Sequence, residues 1–401
     1  MKIAFINTYG NGSTGKIVDA LKEMSIKNRF EVRSYYAREY CASTETAKKY
    51  YSKIGFYVDA FMTRVFDNHG LNNRTNTKRI INDLEEFNPD IIHIHNLHGY
   101  WINYEMLFKY IKKKNIKVVF TLHDCWNFTG HCTHFDFVDC QKWKTKCFKC
   151  PQKGLYPKAS FFDGSRRNFR RKKESFTSLK DNQAIIVCPS EWLKTKAEQS
   201  YLGKYKCLTI NNGVNTEVFK PIQSDLKEKY GLKGNKVILA VANYWDEKKG
   251  LNYVLELAKS REDLSFVYIG KEKTKNSYNL NNVIHIERTD SQKELAMWYS
   301  VADIYINPTL EDNYPTTNLE AIACGTPVIT FNTGGSPEIV NKTNFGLVCE
   351  EKTVDSLSRA INQCSNKYNV NNNELEKMRL MVNEENKFEK YIQLYKELLK
   401  D

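Results

Sequence analysis

Lys2-Ile3-Ala4-Phe5-Ile6, followed by Asn7-Thr8-Tyr9-Gly10-Asn11-Gly12-Ser13-Thr14-Gly15-Lys16, opens the chain and sets how the rest is read. The apolar run reads as a strand buried in an α/β sheet, and a helix is expected from about Lys16. Strand, glycine loop and helix in that order present backbone N–H groups to a ligand at the helix N-terminus. Gly12 and Gly15 are therefore candidate ligand-binding positions. Gly10 through Lys16 also fits the P-loop spacing Gly-x-x-x-x-Gly-Lys. A P-loop needs Ser or Thr next to hold Mg²⁺, and this chain has Ile17. The loop is read as a generic glycine-rich ligand loop, not as an NTPase signature.

Further apolar runs recur outward from this start. Ile91-Ile92-His93-Ile94-His95, Val118-Val119-Phe120-Thr121-Leu122 and Ala184-Ile185-Ile186-Val187 alternate with helical segments such as Met106 to Lys113. A second series follows: Val237 to Val241, Phe266 to Ile269, Ile304 to Ile306 and Pro327 to Ile329. Strands alternating with helices predict parallel, doubly wound sheets. At 401 residues the chain is long enough for two domains. We expect an N-terminal Rossmann-like domain over 1–206, a C-terminal one over 207–383, and a switch near Asn211-Asn212-Gly213. A last helix over 384–401 carries Phe388, Tyr391, Ile392, Tyr395, Leu398 and Leu399 on one face, and is expected to pack back on the N-terminal domain.

Composition narrows the class. Hydrophobic residues make up 41% and aromatic residues 13%, enough for sizeable cores, so disorder is excluded. No apolar run approaches the length that spans a bilayer, and the N-terminus does not read as a signal peptide, which predicts a soluble cytosolic protein. The net charge of +13 calls for an anionic partner: a nucleotide, a phospholipid surface or nucleic acid. Of the eleven cysteines, Cys41, Cys188, Cys207, Cys324, Cys349 and Cys364 are scattered and read as small buried hydrophobes. The other five crowd into a Cys-rich insertion over about 125–151. Cys132, Cys140, Cys147 and Cys150 suit a structural Zn²⁺ site, since Cys-x-x-Cys offers two thiolates from one turn. Cys125, His131 and His134 are competing ligands, and free thiols or a redox pair are the alternatives.

Two further stretches carry chemistry. Asn211-Asn212-Gly213-Val214-Asn215-Thr216-Glu217-Val218-Phe219 follows a short strand from Cys207 to Ile210. Later comes Asn307-Pro308-Thr309-Leu310-Glu311-Asp312-Asn313-Tyr314-Pro315-Thr316-Thr317-Asn318-Leu319-Glu320-Ala321-Ile322-Ala323-Cys324-Gly325-Thr326-Pro327-Val328-Ile329. Its loop is acidic, and its helix carries Glu320 among Leu319, Ala321, Ile322 and Ala323, which leaves little polar face. These stretches resemble the retaining glycosyltransferases of family 4, the group 1 glycosyl transferases with the two-domain GT-B fold. The resemblance spans nearly the whole chain, is densest from Asn211 to Glu338, and points to the type that builds bacterial polysaccharides.

The resemblance implies two Rossmann-like domains facing across a cleft, with donor bound by the second and acceptor by the first. Glu320 matches the family acid that holds the nucleotide ribose. Asp312 stands where the family has its first acid, and neighbouring Glu311 is a second candidate for the donor sugar's hydroxyls. Asn313-Tyr314-Pro315-Thr316 replaces the family's Gly-Phe-Gly, leaving the N–H groups of Thr316 and Thr317 to face the diphosphate, since Pro315 has none. Lys249 matches a lysine that neutralises the diphosphate. The expected Arg is absent: Tyr244 stands there beside Asn243, so Lys248 is the candidate for the missing charge. Gly334, Gly335 and Glu338 match a turn near base and ribose. His123, after the strand ending at Leu122, matches a family His that contacts donor or acceptor, and His93, His95 and His98 cluster at the preceding strand end. On this reading His123, Asp312, Glu320 and Lys249 are catalytic. Gly12, Gly15, Asn243, Lys248, Glu311, Thr316, Thr317, Gly335 and Glu338 bind donor.

The expected function is retaining transfer, of hexosyltransferase type, from a UDP- or GDP-sugar to a saccharide or lipid-linked acceptor in surface polysaccharide synthesis. The resemblance implies no catalytic metal. The alternatives are a sugar-nucleotide epimerase of the same fold, or a zinc-stabilised binding protein without catalysis. The basic stretch from Lys142 to Lys173 is expected either to meet an anionic membrane at its inner face or to be a solvated surface. Trp143 and Phe148 interleave with it, but one metal knot within an α/β domain does not make a nucleic-acid module, and none is expected.

Overall fold

A computed structural model describes residues 1–39, 45–232, 234–273, 280–365, 368 and 371–400. Cys41 lies outside them. The chain divides into two compact units, Met1–Asn211 with Phe388–Asp401, and Asn212–Lys387.

The first unit is built on a seven-stranded parallel sheet: β1 (Lys2–Ile6), β2 (Glu31–Tyr36), β3 (Ala47–Lys49), β4 (Ile91–Ile94), β5 (Lys117–Thr121), β6 (Ala184–Cys188) and β7 (Lys206–Thr209). Their order is β3-β2-β1-β4-β5-β6-β7. Register sets Ile3 beside Ile91 and Ile92 beside Val118, so the pleat sends one set of side chains to each face. Ala4, Ile6, Ile92, Ile94, Val118 and Phe120 enter one core. Ile3, Phe5, Ile91, Val119 and Val187 enter the other. Because both faces are covered, these strands are continuously apolar. After β1, Asn11 starts the helix α1 (Gly12–Lys27), its side-chain oxygen accepting from Gly12 N at 2.8 Å.

The unit boundary lies at Asn211/Asn212, beyond the expected 206/207, because Lys206–Thr209 is a full member of the first sheet. It pairs with β6 through Ile186 and Cys207. The last helix, Glu384–Leu398, returns to the first unit from Phe388 onward. Its Phe388, Tyr391, Ile392 and Tyr395 cover the β1 face that bears Ile3 and Phe5. Two hydroxyls tie it down: Tyr395 Oη lies 2.7 Å from His93 Nδ1, and Tyr391 Oη 3.1 Å from Thr121 Oγ1.

The second unit holds a six-stranded parallel sheet of β8 (Lys236–Trp245), β9 (Leu264–Glu272), β10 (Val283–Ile286), β11 (Ile304–Asn307), β12 (Val328–Phe331) and β13 (Gly346–Cys349). The order is β10-β9-β8-β11-β12-β13. Leu239, Val267, Tyr305 and Val328 face one core; Ile238, Phe266, Ile306 and Ile329 face the other. In both sheets the order reverses beside the first strand, between β1 and β4 and between β8 and β11. Ligands of open α/β sheets bind at the carboxyl ends of strands at such switch points. Among the described residues no helix is long and apolar enough to cross a membrane.

Tyr395 is fully buried, so Tyr395→Ala leaves a cavity and removes the partner of His93 Nδ1. The expected loss is about 3–5 kcal/mol, read from urea unfolding of the full chain. An unchanged midpoint would remove the C-terminal helix from the core of the first unit.

Candidate active site

In the second unit the residues singled out in the sequence fall at the carboxyl ends of β8, β11 and β12, on both sides of the switch. β8 ends in an irregular register between Val241 and Tyr244, which leaves Asn243 exposed. Asp246 then caps a single 3₁₀ turn, Glu247–Lys249, its carboxylate accepting from Lys249 N at 3.2 Å. The turn is seated on the loop after β11 by Leu310 N, which donates to Lys248 O at 2.8 Å.

That contact brings two lysines against two acids. Lys249 Nζ donates to Asp312 Oδ2 at 2.6 Å. Lys248 Nζ is paired with Glu311 Oε2. Burial works against the Lys249 ammonium, but Asp312 beside it outweighs that cost and raises its pKa. Glu311 is buried while Asp312 is partly exposed, and the Lys249 side chain is 39% exposed. Of the two acids, Asp312 is the more open to a ligand.

The helix Thr316–Ala323 begins four residues after Asp312, with Pro315 at its N-cap. Thr316 and Thr317 occupy its first turn, where N–H groups have no intrahelical acceptor. Glu320 is anchored one turn on: Tyr299 Oη donates to Glu320 Oε2 at 3.0 Å. Burial and then Glu320 push the Tyr299 phenol well up, so it remains a donor. Beneath the helix, Asn307 donates to Asn318 Oδ1 at 2.8 Å. The turn after β12 approaches from the other side. Gly334 sits with φ +55 directly against the Asp312 carbonyl, Gly335 caps the helix Ser336–Thr343, and Glu338 lies in that helix's first turn. Sequence reasoning missed Tyr299 and Asp246. A lone Tyr in a helix and an Asp before a turn carry no motif; only their contacts with Glu320 and Lys249 distinguish them.

Gly12, Gly15 and His123 lie in the first unit. Gly15 is needed for packing, since a Cβ there would stand 2.9 Å from the Gly10 carbonyl carbon. His123 follows β5, and its Nε2 lies 2.8 Å from His95 Nδ1. Asp124 binds His98 Nε2 at 2.8 Å. Burial depresses His123 to about 4, with Asp124 opposing and His98 reinforcing the shift, so the imidazole is neutral near pH 7.

Cys132, Cys140, Cys147 and Cys150, four of the five insertion cysteines, line one small pocket with His131, Trp143 and Phe148. Cys132 and Cys150 share a hydrogen bond that brings Cys150 down to about 7, while burial pushes Cys147 up to about 12. His131 Nδ1 lies 2.6 Å from Asp67, and its buried Nε2 has no partner among the described residues. Thiols and an imidazole are donors of the kind that zinc takes. These side chains are not drawn into a shell, since among the described residues no three His, Cys, Asp or Glu groups stand together as metal ligands.

Two family patterns match: glycosyl transferases group 1 over residues 222–381, and Glycosyltransferase Family 4 over 26–218. The chain belongs to the group 1 glycosyltransferases. Its two parallel-sheet Rossmann-like units give the family's GT-B fold. Sucrose-phosphate synthase from Thermosynechococcus elongatus matches over 100% of this chain and 99% of its own, with a TM-score of 0.71 at 16% identity. In sequence the chain is similar to the Escherichia coli K12 protein named as colanic acid biosynthesis glycosyl transferase WcaC. It is 28% identical over 273 residues, 66% of this chain and 65% of that protein. It is also 28% identical over 193 residues to the Escherichia coli UDP-Gal:alpha-D-GlcNAc-diphosphoundecaprenol alpha-1,3-galactosyltransferase, covering 44% of this chain and 50% of that enzyme. The chain thus spans about half to two thirds of the length of these relatives.

The neutral histidine of the first unit gives a pH signature. Burial holds folded His123 at about 4, below the ordinary 6.5 of an unfolded histidine. Between those values the unfolded chain binds more protons, so its contribution is complete above pH 6.5 and declines toward pH 4. His123→Asn is expected to flatten the acid limb of stability against pH by up to about 1.4 kcal/mol per pH unit. Equal slopes in the two proteins would mean that His123 is not buried as a neutral group.

Proposed function

We propose that the chain transfers a hexosyl group from a UDP- or GDP-sugar to a hydroxyl of a saccharide or lipid-linked acceptor, with retention, in surface polysaccharide synthesis. One observation carries this reading: paired lysines and acids lie beside a helix N-terminus at the β8/β11 switch. A sugar diphosphate needs that combination, cations and N–H groups for the phosphates and carboxylates for sugar and ribose hydroxyls. The galactosyltransferase relative supports it, since its name specifies a UDP-sugar and a diphosphoundecaprenol-linked acceptor.

In the proposed reaction the bond from the anomeric carbon to the diphosphate oxygen breaks, and the acceptor oxygen bonds to that carbon on the same face. The acceptor's proton passes to the departing phosphate. Lys249, Lys248 and the N–H groups of Thr316 and Thr317 offset the charge that grows on the diphosphate. Glu320, oriented by Tyr299, holds the ribose, with Glu338 and Gly335 toward the base. Asp312 accepts from the donor sugar, and neutral His123 hydrogen-bonds a donor or acceptor hydroxyl.

Glu320 acts in ground and transition states alike, so Glu320→Gln should mainly raise the donor KM. Lys249 meets charge that develops during reaction, and Lys249→Ala should lower kcat by ~10²-fold. Steady-state kinetics with a nucleotide sugar found by thermal-shift screening checks both. Near-normal turnover in the Lys248→Ala/Lys249→Ala variant would place the phosphate clamp elsewhere.

Zinc held by Cys132, Cys140, Cys147 and Cys150 is a second proposal, apart from the chemistry, favoured by the pocket these four side chains share. Zinc would supply structure there, since metal binding is coupled to folding. Elemental analysis of protein purified without chelator should give one zinc per chain, and Cys147→Ser should lose it together with several kcal/mol, roughly, of stability. Metal-free protein of undiminished stability would dispose of the site.

A further inference from the structure

The helix α2 (Lys53–Phe66) is mounted with its polar side inward. Its buried residues are Asp59 and Thr63. Asp59 accepts from Asn72 at 2.7 Å and from Asn73 at 2.8 Å, and Thr63 lies on the same side at 3.4 Å. The inner face is therefore fixed by satisfied hydrogen bonds, and the helix cannot roll over without breaking them. Outward it presents Ile54, Tyr57, Val58 and Phe61, exposed by 79, 61, 53 and 64%. Their spacing sets them in one stripe along the helix. A surface helix ordinarily does the reverse, burying its apolar stripe and wetting its polar one.

The stripe continues beyond the helix. Ser160 N donates to Arg64 O at 2.7 Å and Phe162 N to Val65 O at 3.1 Å, which lays 160–162 along the helix end. Phe162 stacks on Phe66 at 5.9 Å, and Phe161 and Phe162 are exposed by 71 and 60%. Next along the chain is a hollow lined by Lys146, Phe148, Lys149, Asp163 and Arg166. The Asp163 carboxylate is engaged by the N–H groups of Cys150 and Ser165, at 2.6 and 2.9 Å. Lys146, Lys149 and Arg166 have no ion-pair partner among the described residues. Lys53 and Arg64 of α2, and Lys158 just before Ser160, are exposed as well.

We propose that this face docks the chain on an anionic phospholipid bilayer, with α2 lying in the interface, Phe61, Phe161 and Phe162 among the acyl chains, and the cationic hollow on lipid phosphates. Charge decides the occupant. The face presents exposed Lys146, Lys149 and Arg166 in the hollow, with Lys53, Arg64 and Lys158 also exposed, against Asp163, whose carboxylate is already engaged by backbone N–H groups. A second copy docking by the same patch would set these cations against each other. A bare polyanion would leave the apolar stripe in water. An anionic bilayer takes both parts at once. The proposal deepens the lipid-linked acceptor reading by naming the surface that brings the chain to its acceptor. Its test uses neither donor nor acceptor, so it fails or stands apart from that reading.

The test is sedimentation of the full chain with phosphatidylcholine vesicles, with and without phosphatidylglycerol, at low and high salt. Binding is expected only with phosphatidylglycerol and should weaken with salt. Ile54→Ser/Phe61→Ser and, independently, Phe161→Ser/Phe162→Ser should each lower partitioning by about tenfold or more with an unchanged melting temperature. Lys146→Ser/Lys149→Ser/Arg166→Ser should remove most of the salt-sensitive part. Indifference to phosphatidylglycerol would overturn the proposal, as would undiminished binding by the apolar variants. So would a dimer that Ile54→Ser/Phe61→Ser breaks while the wild type ignores vesicles.

Discussion

The candidate site of the second unit depends on two places where a backbone carbonyl occupies the space of a missing side chain. A Cβ at Gly250, with φ +78, would lie 2.1 Å from Pro308 O. One at Gly334, with φ +55, would lie 1.7 Å from Asp312 O. Both positions need glycine twice over, for the left-handed backbone and for the close approach. Together they knit the loops after β8, β11 and β12 into one body. The Lys248–Glu311 and Lys249–Asp312 pairs follow from that, since long side chains on separate loops would otherwise lose entropy for little gain at such partly exposed positions.

In the first unit, buried polar groups are satisfied between elements distant in sequence. His93 bridges Thr121, at 2.8 Å, and Tyr395, at 2.7 Å, so a polar residue inside a parallel sheet is satisfied from strand and C-terminal helix together. Lys172 is a second case. It belongs by sequence to the basic stretch, yet it is buried, with Nζ 2.7 Å from Trp126 O and 3.5 Å above the Trp126 ring. Burial brings it down to about 7. Arg171 makes two bonds of 2.6 Å to Glu105. The stretch therefore divides, with its end holding the unit together and Lys146, Lys149 and Arg166 facing water.

Central strands were legible because both of their faces are apolar: β1, β4, β5 and β6 in the first sheet, β8, β9, β11 and β12 in the second. β2 was not, because Glu31-Val32-Arg33-Ser34-Tyr35-Tyr36 lacks an apolar run. Its polar groups are satisfied at a distance: Asp83 accepts from Arg33 at 2.6 Å, Tyr35 at 3.0 Å and Tyr50 at 2.8 Å. Such a contact has no local signature. The site divides in the same way. Lys249, Asp312 and Glu320 stand in recognisable stretches, while Tyr299 and Asp246 matter only through partners distant in sequence or through a cap. The inverted mounting of α2 was equally hidden, since Asp59 reads as a solvated residue until Asn72 and Asn73 are seen to face it.

The pairing of Lys249 with Asp312 bears on the order of events in the proposed transfer. Each lysine of the turn is matched by an acid. A diphosphate brings two or more negative charges to the same ammonium groups, and Asp312 then becomes a like-charged neighbour. In the proposed transfer the incoming phosphate competes with Asp312 for Lys249, and the freed Asp312 oxygens accept hydrogen bonds from sugar hydroxyls. Glu311, more deeply buried than Asp312, leaves its lysine less readily. On this reading the two pairs are unequal by construction: one holds the turn on its loop, and the other exchanges partners with the substrate. In the proposed transfer, recognition of the sugar is thereby coupled to recognition of the diphosphate, through an ammonium and a carboxylate 2.6 Å apart.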